Sequence, residues 1–213
     1  MAEFNSSTFG TISGRHGSAV ATTIKKSGKS ILKLFRPPTD PKTAKQEAHR
    51  SKFAFLVAFL ACMRELLNET LRTKGGYNQG FALAMQNAII GVASNYSIDY
   101  SKLVFTVGGV TRGAQLTAAK LTGTTVKVDW NANNFSVLAT GGAKPNEAVN
   151  LIFYNDTTKE CILIQDIAKR EAGTAELECP DYWSGNVVQS WIYFSRAEGK
   201  NNSNSDYIGE VQL

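Results

Sequence analysis

Residue types that do chemistry are few and badly spaced for it. Two histidines, His16 and His49, are the only imidazoles in 213 residues, and a Ser–His–Asp triad needs one set against a nucleophile. His16 falls in a glycine-rich arm and His49 on an early helical turn, and neither context forms a pocket. There is no G-x-S-x-G. The three cysteines, Cys62, Cys161 and Cys179, contain no C-x-x-C, so together with two isolated histidines they give no metal-ligand spacing. Gly28-Lys29-Ser30 imitates the end of a P-loop, but its first glycine would fall at Thr23, and the flanking pattern is a hairpin rather than strand–loop–helix. Asp166, Glu171, Glu176, Glu178 and Asp181 lie on strands and turns, where a solvated surface is a plainer reading than paired-carboxylate catalysis. The expectation is a protein with no catalytic centre, metal or cofactor.

Charge points elsewhere. Residues 1–52 carry ten Lys/Arg against three Asp/Glu, a balance of +7, whereas the remainder carries thirteen against fifteen, a balance of −2. The basic segment is an arm rich in Gly, Ser and Thr. In it, Gly10-x-x-x-Gly14-Arg15-x-Gly17 supplies permissive backbone and one guanidinium, suited to close passage over a neighbouring subunit more than to a phosphate cradle. Arg15, Lys25, Lys26, Lys29, Lys33 and Arg36 could neutralise phosphates in a salt-sensitive contact. No helix-turn-helix, zinc finger or RNA-binding aromatic signature accompanies them. The candidate interaction residues are Gly14, Arg15, Gly17, Val20, Ile24, Gly28, Lys29 and Arg36.

The elements that must position these residues follow from periodicity. Val20, Thr22 and Ile24 alternate, Lys26 to Lys29 signals a turn, and Ile31 to Phe35 resumes apolar, which is a β-hairpin pattern. Pro37-Pro38 ends the arm in extended form. Asp40 then reads as an N-cap, with Pro41 as the first residue of a helix running to about Thr73. Its run from Phe53 to Met63 is apolar throughout, too short to span a bilayer, which takes about 20 residues, and reads as a helix buried on most sides. Gly75-Gly76 supplies the stop. GGYNQG links to a second helix over about 81–94, giving an αα-hairpin.

From Asp99 the period becomes two. Strands are expected over 103–107, 114–121, 124–130, 149–154, 161–167, 174–179, 187–194 and 207–211, separated by glycine and asparagine turns. Seven or eight short strands in that span suggest an antiparallel β-sandwich of immunoglobulin or fibronectin-III type. Trp130 and Trp191 read as core plugs, and residues 199–206, GKNNSNSD, as a long solvated hairpin loop. The fold class is α+β, with an extended basic arm and hairpin over 1–38, a helical hairpin over 39–97 and a sandwich over 98–213.

Cys62 reads as a small core residue. Cys161 and Cys179 could face each other across strands, although the spacing does not demand it. The N-terminus has neither a charged n-region nor an apolar h-region, so no secretion signal is read and the Asn-x-Ser/Thr sequons are taken as chance.

One pattern is more specific. Gly10…Gly14-Arg15-x-Gly17-x-x-Val20, then Gly28-Lys29, Arg36-Pro37 and Pro41-x-Thr43-x-x-Gln46-x-x-x-Arg50-x-x-Phe53 resembles the N-terminal signature of a domain family of unknown function from Bacteroidetes genomes and their phages. Asp40 stands where that family usually has Asn, and either residue caps a helix. The resemblance carries no catalytic residues. It implies a virion or assembly role, in the manner of tail, ring and head-decoration proteins. The expected partners are therefore protein subunits, its own copies or other virion proteins, in a homo-oligomer without membrane contact. The expected location is the virion, or the host cytoplasm before assembly. A nucleic-acid-binding arm is one alternative. A carbohydrate- or surface-binding sandwich, acting through loops near Tyr182, Trp183 and Asn201, is another.

Overall fold

The computed structural model describes residues 2–4, 13–24, 27, 29–37, 39–71, 75–92, 95–132, 143–196 and 201–213. The chain forms two compact units, Met1–Thr43 and Ala44–Leu213.

The first unit is a four-stranded antiparallel sheet of β1 (Ala2–Phe4), β2 (Gly14–His16), β3 (Ala19–Thr23) and β4 (Ser30–Leu34), in the order β1-β4-β3-β2. The expected hairpin is β3–β4, running from Ala19 opposite Leu34 to Thr23 opposite Ser30. Its turn is closed by the Ile24 N–H donating to the Lys29 carbonyl at 2.9 Å. Both hairpin strands already have a neighbour on each side, so among the described residues the outer strands are β1 and β2. The turn positions Lys25, Lys26 and Gly28, like Gly10, lie outside the described residues. Asp40 does not cap a helix that begins at Pro41. Lys42 adopts a φ of 46°, which no helix tolerates, and the helix starts two residues later. The Asp40 carboxylate instead accepts the Lys42 N–H at 3.3 Å.

In the second unit α1 spans Ala44–Phe59, α2 Arg64–Thr70 and α3 Gly76–Asn87. The single helix read over 41–73 is thus two, redirected by a turn at 60–63. The apolar run 53–63 is buried on one face rather than most: Leu56, Phe59, Leu60 and Met63 are buried, while Phe53 is 48% exposed. Spacing of three and four residues places those buried side chains on one stripe. GGYNQG, read as a link, is the first turn of α3. The second helix ends at Asn87, because Ile89–Val92 (β5) pairs with Asn95–Ile98 (β6) as a hairpin. Two isoleucines and a valine in four residues favour a strand over the helix periodicity that extended through them.

Seven strands follow: β7 (Thr117–Lys120), β8 (Thr125–Asp129), β9 (Ala148–Asn155), β10 (Glu160–Lys169), β11 (Thr174–Glu178), β12 (Val187–Ser195) and β13 (Asp206–Gln212). They form a four-stranded sheet, β10-β9-β12-β13, and a three-stranded sheet, β11-β8-β7, antiparallel throughout. The expected α+β sandwich is therefore present. Val126, Val128, Leu151, Phe153, Ile192 and Phe194 pack in the core shared by the two sheets. The opposite face of the larger sheet, with Ile152, Tyr154, Trp191 and Tyr193, packs with Leu56, Phe59, Leu60 and Met63. Helices, four-stranded sheet and three-stranded sheet are three layers around two cores. Trp130 and Trp191 are buried, as read.

Two expectations fail together. Residues 103–107 form no strand, and the segment read as a solvated loop has Asn202, Ser203 and Ser205 buried. The two segments satisfy one another. Ser205 Oγ accepts the Phe105 N–H at 3.0 Å, Thr106 Oγ1 donates to the Ser203 carbonyl at 2.7 Å, and Asn204 Oδ1 accepts the Gly108 N–H at 3.0 Å. Short polar side chains stand in for strand backbone, so a composition that resembles a loop builds interior. The backbones run so close that a Cβ on Gly108 would lie 2.0 Å from the Asn202 carbonyl oxygen. Gly108→Ala is expected to cost about 1–3 kcal/mol, read as a lower urea midpoint with an unchanged slope.

Candidate functional site

The residues singled out in the arm do share one sheet. By register Arg15, Val20 and Lys33 lie abreast on one face. Gly17 occupies the two-residue connection between β2 and β3 at a φ of 59°, a conformation that favours glycine in a tight turn. Arg15 is exposed, but its guanidinium is held. Nε donates to the Gly17 carbonyl at 3.1 Å, and the group sits 4.0 Å over the Phe35 ring, which fixes the β2–β3 turn against the residue after β4. Lys29 is exposed at the hairpin turn, and Lys33 and Arg36 are exposed. Leu32 and Leu34 share the other face with Ala19 and Ala21. They are 39% and 65% exposed, and Ile24, just beyond β3, is 42% exposed. Sequence reasoning named Ile24 but passed over the two leucines, whose i, i+2 spacing already placed them on one face.

Two concavities among the described residues of the body bear on chemistry. The first, about 240 Å³, opens where β10 bulges between Ile164 and Ala168. Asp166, at a φ of 54°, gives its N–H to Asn150 Oδ1 at 3.1 Å. Its carboxylate is paired with Lys169, while Glu69 accepts from Gln165 Nε2 at 2.8 Å. Each acid is held by a partner, and no nucleophile–base pair is assembled. Glu171, Glu176, Glu178 and Asp181 are exposed.

The second concavity, about 590 Å³, is walled by Phe55, Phe59, Tyr96, Tyr100 and Tyr154, with Asp156 and Lys159 at the rim. Phe59 and Tyr154 meet edge to face at 5.0 Å. Burial and the nearby Asp156 carboxylate push the Tyr100 and Tyr154 hydroxyls upward, which keeps them neutral donors. Asp156 accepts from Tyr154 at 3.3 Å and from Lys159 at 2.6 Å. The wall offers ring faces and a neutralised rim.

Other sequence candidates separate. Trp183 is not an exposed platform: it is 1% exposed, and its Nε1 donates to Glu160 Oε2 at 3.0 Å. Its neighbour Tyr182 is exposed. His49 is exposed on α1. Among the described residues no cluster of three or more His, Cys, Asp or Glu could hold a metal ion, and no helix is long and apolar enough to cross a membrane. Cys179 belongs to the inter-sheet core, whereas Cys161 packs on the helical side, beside Cys62. The two cysteines considered for pairing are thus in different cores.

Sequence reasoning missed a fully buried ion pair. Arg170 is fully buried and bonded through Nε to Glu147 Oε2 at 2.8 Å, through Nη2 to the Thr111 carbonyl at 2.6 Å, and stacks 3.6 Å over Phe194. No local signal marks it, because its partners are 23 and more residues away. Its carbonyl also accepts Trp130 Nε1 at 2.7 Å, so the ion pair serves the sandwich rather than a ligand.

An α+β protein of layered helices and antiparallel sheets, with a small sheet on a basic arm and no assembled catalytic group among the described residues, is the class these features define. The chain belongs to the family of unknown function DUF6266, which it matches over residues 12–209, all but its first eleven and last four residues. No curated protein matches it. One solved structure, the fn3 domain of the human collagen alpha-1(XX) chain, is similar over 49% of this chain and 87% of that one, at 11% identity and a TM-score of 0.36.

Glu147→Ala would strand the Arg170 charge in the core and is expected to cost about 3–5 kcal/mol. Replacing the pair together, Glu147→Leu with Arg170→Met, should recover most of that loss. Thermal unfolding of the three proteins checks both.

Proposed function

We propose that the protein is a non-enzymatic assembly component, of virion type, that docks on neighbouring subunits through its N-terminal sheet. The observation that carries this is the pair Leu32 and Leu34, left open side by side on one face of a sheet whose longest strands have five residues, with Ile24 exposed on the other face. So small a sheet needs its apolar face covered to be stable in water, and exposed rows of this kind mark interaction surfaces. The resemblance to phage-borne relatives supports a virion role. The two exposed leucines support face docking, with β2 as a short outer edge that a neighbour's strand could extend. The hairpin strands themselves are paired on both sides and do not supply that edge.

Light-scattering mass tests the reading. The full chain is expected to form a defined oligomer, and both removal of residues 1–38 and the double substitution Leu32→Asp with Leu34→Asp should reduce it to monomer. Equal assembly by all three proteins would sink the proposal. A full-length monomer that gains mass only on adding DNA, and loses it as salt rises, would transfer the arm's role to Lys29, Lys33 and Arg36 as phosphate contacts.

A further inference from the structure

Cys62 lies in the turn between α1 and α2, and Cys161 is the second residue of β10, the outermost strand of the four-stranded sheet. They are 99 residues apart in the chain, yet the Cys161 thiol donates to the Cys62 carbonyl at 3.0 Å. Each thiol also shifts the ionisation of the other. Both residues are free thiols and only half-buried. We propose that Cys62 and Cys161 are a redox-responsive pair that closes to an intramolecular disulfide, stapling the α1–α2 turn to the edge of the sheet.

The pair is asymmetric in a way that orders the chemistry. The Cys62 thiol lowers the neighbouring Cys161 thiol, whereas Cys161, together with burial, pushes Cys62 up. Cys161 is therefore the attacking group. With a small-molecule disulfide such as oxidised glutathione as the oxidant, the Cys161 thiolate bonds to one glutathione sulfur, and the glutathione S–S bond breaks. The first glutathione leaves as thiolate and takes up the Cys161 proton. Cys62 then yields its proton, and its sulfur bonds to the Cys161 sulfur. The second glutathione leaves with that proton. Two thiols are oxidised and one glutathione disulfide is reduced. Cys179 is left out: it is 2% exposed in the other core, and burial pushes its thiol up to about 11. Closure would tie α2, α3 and β5 to β9 into one loop, restricting the unfolded chain and raising stability.

The test uses the full-length protein in oxidised or reduced glutathione, with thiol titration in denaturant, non-reducing peptide mapping and thermal unfolding. The expected oxidised protein is a species with two of its three thiols consumed within one chain. The Cys62 and Cys161 peptides should stay joined until reduced, and the unfolding midpoint should exceed that of the reduced form. Cys62→Ser and Cys62→Ala should each stop at a glutathione adduct on Cys161, and Cys179→Ser should behave as the parent. Survival of all three thiols, a Cys161–Cys179 linkage, or bonds formed only between molecules would overturn the proposal.

Discussion

Burial of both faces of the four-stranded sheet is the constraint on which the body depends. All eight residues of β9 are buried. Odd positions Val149, Leu151 and Phe153 enter the core shared with the three-stranded sheet, and even positions Ile152 and Tyr154 enter the core shared with the helices. On β12, Val188, Ile192 and Phe194 do the first, while Trp191 and Tyr193 do the second. A strand with no wet face must be apolar almost continuously, and it can be satisfied only if one layer arrives from each side. The helical segment is thus the second half of the sheet's burial. Of the two polar residues on β9, Asn150 directs its side chain to Ser195 Oγ, at 3.0 Å, and to the Asp166 N–H, and Asn155 Oδ1 accepts the Thr157 N–H at 2.9 Å.

The same constraint explains the helical break. A straight helix through residue 73 would present one stripe along one line, whereas the turn at 60–63 lets Leu60, Met63, Leu66 and Leu67 all reach the interior. Phe53 remains outside that interface and pairs with Phe81 of α3, ring centroids 4.7 Å apart. The tilted rings shield an apolar surface that the sheet does not cover.

Strands with one dry and one wet face were legible in the sequence. In Thr125–Asp129 and Thr174–Glu178 the alternation Val126, Val128 and Ala175, Leu177 reports burial residue by residue. Legibility failed where structure rests on something other than period. The strands β1 and β2 are three residues each, too short to carry a pattern. β5 hides in a run that also fits a helix. Ser203 and Ser205 look solvated because composition does not say that a hydroxyl will accept a distant N–H. The Arg170–Glu147 pair and the Cys62–Cys161 contact are matters of which strand faces which layer. Only topology decides that: Cys161 and Cys179 could face each other as far as the sequence went, and the fold set them on opposite sides of the larger sheet.

The polar stitching between 105–108 and 202–205 also sets a timetable. Its partners are about a hundred residues apart along the chain, and contacts of that separation are the slowest to form, since chain entropy must be spent before they return anything. Emerging from a ribosome, the helices, β9 and β10 are all made before Ser203 and Ser205 exist. Until those serines and the Val211 side chain arrive, β12 has an open edge and Phe105 has an unanswered amide. In that interval the nascent chain exposes an unpaired strand edge and apolar surface, the features that make folding intermediates prone to aggregate.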